Sequence, residues 1–188
     1  MLFCVLNAPE KLIDFSPDMS PISIDVLSPS DPVMPDPLAY LLTWTTYGTW
    51  LPGDDRGWVR RGKGLQTPQF ETLTRAATKL RETPLILDKN QRDCVENTIR
   101  QHCAYRHWQL LAVNCRTNHV HAVVATAVVP DVAVKELKAW CTRRLREVVV
   151  AGSCHSQRKN WWSERSSTRY LVDPESVESA VRYVIDGQ

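Results

Sequence analysis

The sequence predicts an α+β fold in which helices pack on a central, largely antiparallel sheet. Runs rich in β-branched and aromatic residues, bounded by turn residues, predict strands, and apolar residues three or four positions apart predict amphipathic helices. From residue 38 onward these patterns follow in the order strand, helix, strand, strand, helix, strand, helix. This order predicts one layered domain over residues 38–188, since a chain of 188 residues has room for one large core.

The first strand is predicted at 38–47, where the run LAYLLTWTTY leads into the turn sequence GTWLPGDDRG. Residues 54–83 mix basic residues with Gly, Thr and Pro, which predicts a long exposed loop with one short helix near 70–81. Asp88 is a suitable N-cap, and the apolar spacing that follows it predicts an amphipathic helix through Arg106.

The second half of the chain continues the alternation of strands and helices. Its patterns predict strands at 107–115 and 118–129, followed by a helix with a basic exposed side at 132–150. An extended segment at 161–170 and a last helix at 174–185 complete the chain. Asp173 followed by Pro174 is typical of a helix start, and the apolar stripe of this helix is Val177, Ala180, Val181 and Val184. This order of elements is that of a ferredoxin-like or RRM-like sandwich.

The first 37 residues differ in composition from the remainder. They hold seven of the 12 prolines and carry one basic and six acidic side chains, against 22 basic and 15 acidic in residues 38–188. Such a segment buries too little apolar surface to offset the entropy of ordering it, so residues 1–37 are predicted to be a disordered or loosely attached extension. Two explanations stay open: the natural start is Met34, or the extension is an acidic tail that covers the basic body.

Composition also excludes some classes of protein. No run approaches the roughly 20 apolar residues of a membrane helix, and the first residues lack a signal peptide's basic start, so a cytoplasmic protein is expected. The six cysteines form no C-x-x-C pair, which argues against a zinc ribbon and for reduced thiols. A basic body is what a phosphate-binding surface needs.

The sharpest local pattern is Asn118-His119-Val120-His121 at the start of a predicted strand. Side chains alternate along a strand, so His119 and His121 should point to one face, about 7 Å apart along the chain, while Val120, Ala122 and Val124 face the core. Two neutral imidazoles at this spacing could hold one divalent ion and leave positions for phosphate oxygens. By itself the pattern is also compatible with a half-buried strand that has polar residues on its solvent side.

The His119-Val120-His121 strand resembles the HUH motif of the HUH endonucleases, and Ala180-Val-Arg-Tyr183 resembles their nucleophile helix. The likeness is greatest to the REP-associated tyrosine transposases and related small insertion-sequence transposases, and it covers about 150 residues, from 38 to 188. The segment TWTTYGTWLPGDDRGW also resembles the opening of some members of that group.

The resemblance implies a DNA transposase that cuts and rejoins single-stranded DNA through a 5′-phosphotyrosine intermediate. Tyr183 would be the nucleophile, with Tyr170 as the most serious competitor, and His119 and His121 would hold Mg²⁺ or Mn²⁺. Relatives often place a third metal ligand four residues after the tyrosine, but that position is Gly187 here, so Gln188 or Asp186 would have to supply it. The implied partners are single-stranded DNA with hairpin structure and a second copy of the chain, and the protein would be nucleoid-associated when bound to DNA.

Basic and aromatic groups are the candidates for DNA contact. The basic residues expected to follow the DNA backbone are Arg60, Arg61, Lys63, Lys135, Lys138, Arg143 and Arg144. The aromatic residues expected to stack on unpaired bases are Trp50, Trp58, Trp161 and Trp162.

Two other functions fit parts of the sequence. The same sheet order occurs in RNA-recognition modules, so a non-catalytic, domesticated domain that binds single-stranded nucleic acid is the main alternative. Metal-dependent covalent attachment to DNA would separate that domain from a transposase. A zinc-structured interaction protein is a weaker alternative because the cysteines lack ligand spacing.

The composition of residues 1–37 generates a first prediction. A chain that begins at Met34 should melt cooperatively within a few degrees of the full chain, because the residues removed bury little apolar surface. Thermal unfolding followed by circular dichroism measures the difference. Loss of the cooperative transition in the shortened chain would show that the extension packs on the body.

Overall fold

The computed structural model describes residues 36–60, 62–150 and 158–186, with only the backbone at 149 and 150. Within these ranges lie six strands and four helices. The strands are β1 (Ala39–Thr46), β2 (Trp58–Arg60), β3 (Gly64–Gln66), β4 (Gln109–Cys115), β5 (His119–Ala125) and β6 (Trp162–Leu171). The helices are α1 (Phe70–Ala77), α2 (Lys89–Tyr105), α3 (Pro130–Val150) and α4 (Pro174–Asp186).

The central sheet has four strands in the order β4-β5-β1-β6, and every neighbouring pair is antiparallel. With α2 between β1 and β4, and α3 between β5 and β6, the chain follows the βαββαβ path of the ferredoxin-like fold. The predicted α+β class with a largely antiparallel sheet is therefore confirmed. The predicted helix starts are confirmed as well: Asp88 forms a capping box with Gln91, and Asp173 Oδ1 accepts a bond from the Ser176 N–H.

Helices α2 and α3 cover one face of the sheet. The fully buried side chains there come from alternate positions of the central strands and from both helices, and include Leu42, Trp44, Val95, Ile99, Val120, Val124, Leu137 and Leu145. This alternation matches the expectation that Val120, Ala122 and Val124 face the core.

Helix α4 covers part of the opposite face. Its buried residues Ala180 and Val184 pack with Val123 of β5 and Leu171 of β6 in a second, smaller core. The stripe of Val177, Ala180, Val181 and Val184 that the sequence indicated is the packed side of this helix. Strand β5 is consequently buried on both faces, which explains why its sequence is almost continuously apolar.

The prediction of a long loop over 54–83 was wrong for its first part. Trp58–Arg60 and Gly64–Gln66 form a short antiparallel hairpin, and the helix after it is shorter than expected, ending at Ala77. Strands of three residues are too short to show the alternation of apolar and polar side chains from which strands are predicted. The turn between them depends on left-handed backbone at Gly62 and Gly64, which have φ of 72° and 66°.

Two predictions from the sequence concern the N-terminal extension and the crossing of a membrane. Almost all of the predicted extension at 1–37 lies outside the described residues, so its state stays a prediction. Across the described part of the chain, no helix combines the length and apolarity needed to cross a membrane.

Gly53 and Gly62 offer a matched pair for a stability test. Gly53 has φ of 91°, and a Cβ there would collide with the Gln69 carbonyl oxygen and with the backbone nitrogen of Leu73 in α1. Gly62 has a similar φ of 72° but open space around it. We expect Gly53→Ala to cost about 3 kcal/mol of unfolding free energy, against about 1 kcal/mol for Gly62→Ala, which carries only the backbone strain. Urea denaturation measures both, and equal losses would contradict the packing argument.

Candidate active site

His119 and His121 project from the same face of β5, and their ring centroids lie 4.8 Å apart. Strand pairing sets this arrangement, because Thr45 lies opposite His119 and Thr43 lies opposite His121 on β1. The prediction that the two rings share one face is confirmed, and their binding of one ion stays a prediction.

His121 is held in its neutral form. Its side chain is only 7% exposed, and its Nδ1 forms a 2.8 Å hydrogen bond with the Thr43 hydroxyl. Burial, with smaller effects of His119 and Arg116, lowers the pKa of His121 to about 4. At neutral pH the ring is therefore uncharged, which is the form that binds metal ions.

The neighbours of the two imidazoles orient their nitrogens. Nδ1 of His119 lies 2.7 Å from the Asn118 amide oxygen, which accepts a bond from an N–H. When the Nδ1–H of His121 likewise donates to the Thr43 hydroxyl oxygen, the lone pair of each ring is on its Nε2 atom. Hydrogen bonds of this kind orient histidine ligands in metal sites. The donor set therefore suits a two-histidine site for a divalent ion.

Tyr183 of α4 lies next to this pair. Its ring centroid is 5.5 Å from that of His121, the rings are almost perpendicular, and the tyrosine is 47% exposed. Asn114 of β4 sits opposite His121 across the sheet, and its amide donates a 3.0 Å hydrogen bond to the Val184 carbonyl. Sequence reasoning did not single out Asn114, because its role depends on strand register and on where α4 ends.

The other four tyrosines, all of which are described, lie elsewhere. Tyr170 is paired with Tyr40 across β1 and β6, with ring centroids 5.3 Å apart. Tyr40 is three positions from Thr43 on β1, so Tyr40 and Tyr170 point to the face opposite His121. The Tyr47 hydroxyl accepts a bond from the Arg81 N–H, and Tyr105 ends α2.

The third metal ligand stays a prediction. Gln188 and Gly187 lie outside the described residues, and Asp186 is exposed in the last turn of α4. In the described ranges, no three or more His, Cys, Asp or Glu side chains gather closely enough to hold an ion. The structure thus brings together two predicted ligands and the predicted nucleophile.

The predicted DNA-binding residues fall on two elements. Arg60 and Lys63 are exposed on the β2–β3 hairpin, and Arg61 lies outside the described residues. On α3, Lys135, Arg143 and Arg144 are exposed, although Arg144 forms a 2.9 Å ion pair with Glu147.

Lys138 is engaged within the protein. Its ammonium donates to the carbonyls of Ser163 and Arg165 on β6, at 2.9 and 3.2 Å, and burial lowers its pKa to about 8. Its part in binding DNA stays a prediction, and the contacts described for it hold α3 against β6.

The four tryptophans that were predicted to stack on bases divide into two groups. Trp161 is 2% exposed in the main core, and Trp162 packs edge-on against Trp44 while its N–H bonds to the Lys138 carbonyl. The expectation that Trp161 stacks on bases was therefore wrong, because its side chain completes the core, whereas Trp162 is half-buried and its stacking on bases stays a prediction. Trp50, 45% exposed beneath Arg56, and Trp58 remain at the surface.

No protein-family model matches the chain, and no curated protein matches it. Among solved structures, a predicted transposase from Deinococcus radiodurans R1 is similar at 17% identity and a TM-score of 0.45, over 84% of this chain and 95% of that one. A REP-associated tyrosine transposase bound to a REP hairpin is similar at 12% identity and a TM-score of 0.45, over 80% of this chain and 66% of that one.

Burial of His121 predicts a pH dependence of stability. The folded ring protonates near pH 4 and the unfolded ring near its ordinary pKa of about 6.5, so between these values the unfolded state binds more protons. The stabilisation is thus present above about pH 6.5 and lost as the pH falls. For the metal-free protein we expect His121 to contribute a loss of about 2 kcal/mol between pH 7 and pH 5.

His121→Gln is the control for this experiment. Other groups titrate equally in both proteins, so the difference between their unfolding free energies, measured by urea denaturation with a chelator present, isolates His121. Parallel pH profiles would mean that the ring is not held neutral.

Proposed function

We propose that this protein is a single-tyrosine HUH transposase, a DNA strand transferase that cuts and rejoins single-stranded DNA. The observation that carries the proposal is the contact between Tyr183 and His121, with His119 on the same face. The resemblance of these residues to the HUH motif and its tyrosine helix supports the same function. A half-exposed phenol beside the neutral imidazole of His121 is open to a large substrate such as DNA.

In the proposed reaction the Tyr183 hydroxyl oxygen attacks the scissile phosphorus from the side opposite the 3′ oxygen. The P–O3′ bond breaks, the proton lost by the tyrosine is balanced by the one gained at the 3′-OH, and the 5′ phosphate stays joined to Tyr183. Because this ester retains the energy of the broken bond, a 3′-OH of another strand can reverse the step and join DNA without ATP.

His119 and His121 would hold Mg²⁺ or Mn²⁺ through their Nε2 atoms. A bound divalent ion supplies positive charge to the non-bridging phosphate oxygens and to the leaving oxygen. Thr43 and Asn118 keep the two rings in position for binding. Asn114 ties the end of α4 to the sheet, and so holds Tyr183 over His121.

The substrate in this proposal is single-stranded DNA with hairpin structure, and the active form is a homodimer, as the resemblance implies. The exposed basic residues of the hairpin and of α3 would bind its phosphates.

Substitution of the nucleophile tests the proposal. Tyr183→Phe removes only the hydroxyl, so it should cost at most about 1 kcal/mol of stability and leave binding of single-stranded DNA intact. It should form no covalent adduct with hairpin DNA in Mn²⁺, measured as a band that survives denaturing electrophoresis. Raised Mn²⁺ should not restore the adduct, because the missing oxygen has no substitute.

Two variants control this experiment. His119→Ala should also lose the adduct, but by weaker metal binding, so raised Mn²⁺ should restore part of it. Tyr170→Phe should retain the wild-type rate, because that tyrosine lies on the other face of the sheet. An adduct at the normal rate in Tyr183→Phe would refute the assignment of the nucleophile.

A further inference from the structure

A second concave surface lies between α2 and α3, on the side of the sheet away from α4. This cleft has a volume of about 350 Å³ and is lined by Thr98, Gln101, His102, Tyr105, Trp140 and Arg144. None of these residues belongs to the candidate active site. The volume falls within the range of small-molecule pockets and suits one flat heterocycle.

Aromatic rings border the cleft and are open to solvent. Tyr105 is 75% exposed and Trp140 is 36% exposed, whereas His102 between them is 6% exposed. The His102 ring centroid lies 6.4 Å from that of Tyr105 and 5.5 Å from that of Trp140, at similar tilts of 36° and 33°. Core packing does not account for two large rings left exposed at one site, but a flat ligand that stacks on them would.

His102 is fixed in place from below. Its Nε2 lies 3.1 Å from a Glu136 carboxylate oxygen, and Arg106 contacts the same oxygen at 3.2 Å. Trp108 packs edge-on against the ring at 5.5 Å. The floor of the cleft is therefore rigid, so a ligand entering it meets a preformed surface.

The surroundings of the cleft favour an anionic ligand. Arg143 lies over the Trp140 ring at 5.2 Å, and no described carboxylate forms an ion pair with it. Arg144 lines the cleft and pairs with Glu147, and Arg106 pairs with the Glu136 carboxylate that also contacts His102, so these two charges are partly offset. Exposed rings with a surplus of guanidinium groups are typical of surfaces that bind single-stranded nucleic acid, since bases stack on the rings and phosphates pair with the arginines.

We propose that this cleft binds an unpaired nucleobase of the DNA, with the adjacent phosphate at Arg143. This inference rests on the proposed function, which supplies single-stranded DNA as the ligand. The cleft would be a second DNA contact, on the face of the sheet opposite Tyr183. DNA held there would reach the active site around the edge of the sheet. The cleft would hold the strand without taking part in its cleavage.

The test uses the full chain and a fluorescein-labelled oligo-dT, with affinity measured by anisotropy. Tyr105→Ala should weaken binding about 5- to 100-fold, the range for loss of one stacked base. Tyr105→Phe keeps the ring and should bind within about twofold of wild type. Binding of the corresponding duplex should be the same in all three proteins, because its bases are already stacked. Oligo-U in parallel shows whether the site distinguishes DNA from RNA.

Tyr170→Ala is the matched control, since it removes an exposed tyrosine ring that does not line the cleft, and it should leave affinity unchanged. A single-stranded oligonucleotide carrying 5-iodouracil should photocross-link to the peptides that contain Tyr105 or Trp140. Unchanged affinity in Tyr105→Ala, or cross-links found only elsewhere, would overturn the inference.

The adduct assay with hairpin DNA separates this inference from the proposed function. A Tyr183-dependent adduct with no effect of Tyr105→Ala refutes the cleft alone. A Tyr105-dependent affinity without any adduct refutes the transposase and supports the cleft in a domain that only binds DNA.

Discussion

Six residues of β1 pair with six of β5 in one antiparallel register, and this pairing decides which side chains meet on each face of the sheet. Thr43 meets His121 on the face that α4 covers, while Trp44 and Val120 enter the main core. A slip of one residue would bury the histidines among apolar side chains and expose the core residues. The stability of the core and the geometry of the site thus depend on the same register.

Helix α4 places Tyr183 beside the histidines that the strand register positions. Its apolar side is buried on β5 and β6, and this packing leaves Tyr183 at the border between protein and solvent, against His121. Burial under the helix also keeps His121 neutral, which costs the protein stability in acid but leaves the ring a lone pair for the metal ion that we propose. Covering the sheet with a helix therefore positions both the proposed nucleophile and the proposed ligand beside it.

Much of this arrangement could be predicted because it follows from periodicity. Alternation along 119–125 placed both histidines on one face, and the stripe on the last helix identified the side of α4 that packs. Other features depend on contacts between distant residues. Asn114 and Thr43 matter only because strand pairing sets them opposite His121. Trp161 is buried in the main core and Trp162 bonds to Lys138 and Thr142 of α3, and a local sequence pattern does not reveal such contacts. The β2–β3 hairpin was missed because three-residue strands are too short to show a period.

The ammonium of Lys138 has a consequence for assembly. Strand β6 is an edge of the sheet, and an edge strand exposes backbone groups to which a strand of another molecule can add. Lys138 occupies the carbonyls of Ser163 and Arg165, so an incoming strand would have to displace a half-buried charge that already has its acceptors. Addition of a strand over residues 163–165 would therefore require both hydrogen bonds of the Lys138 ammonium to break first.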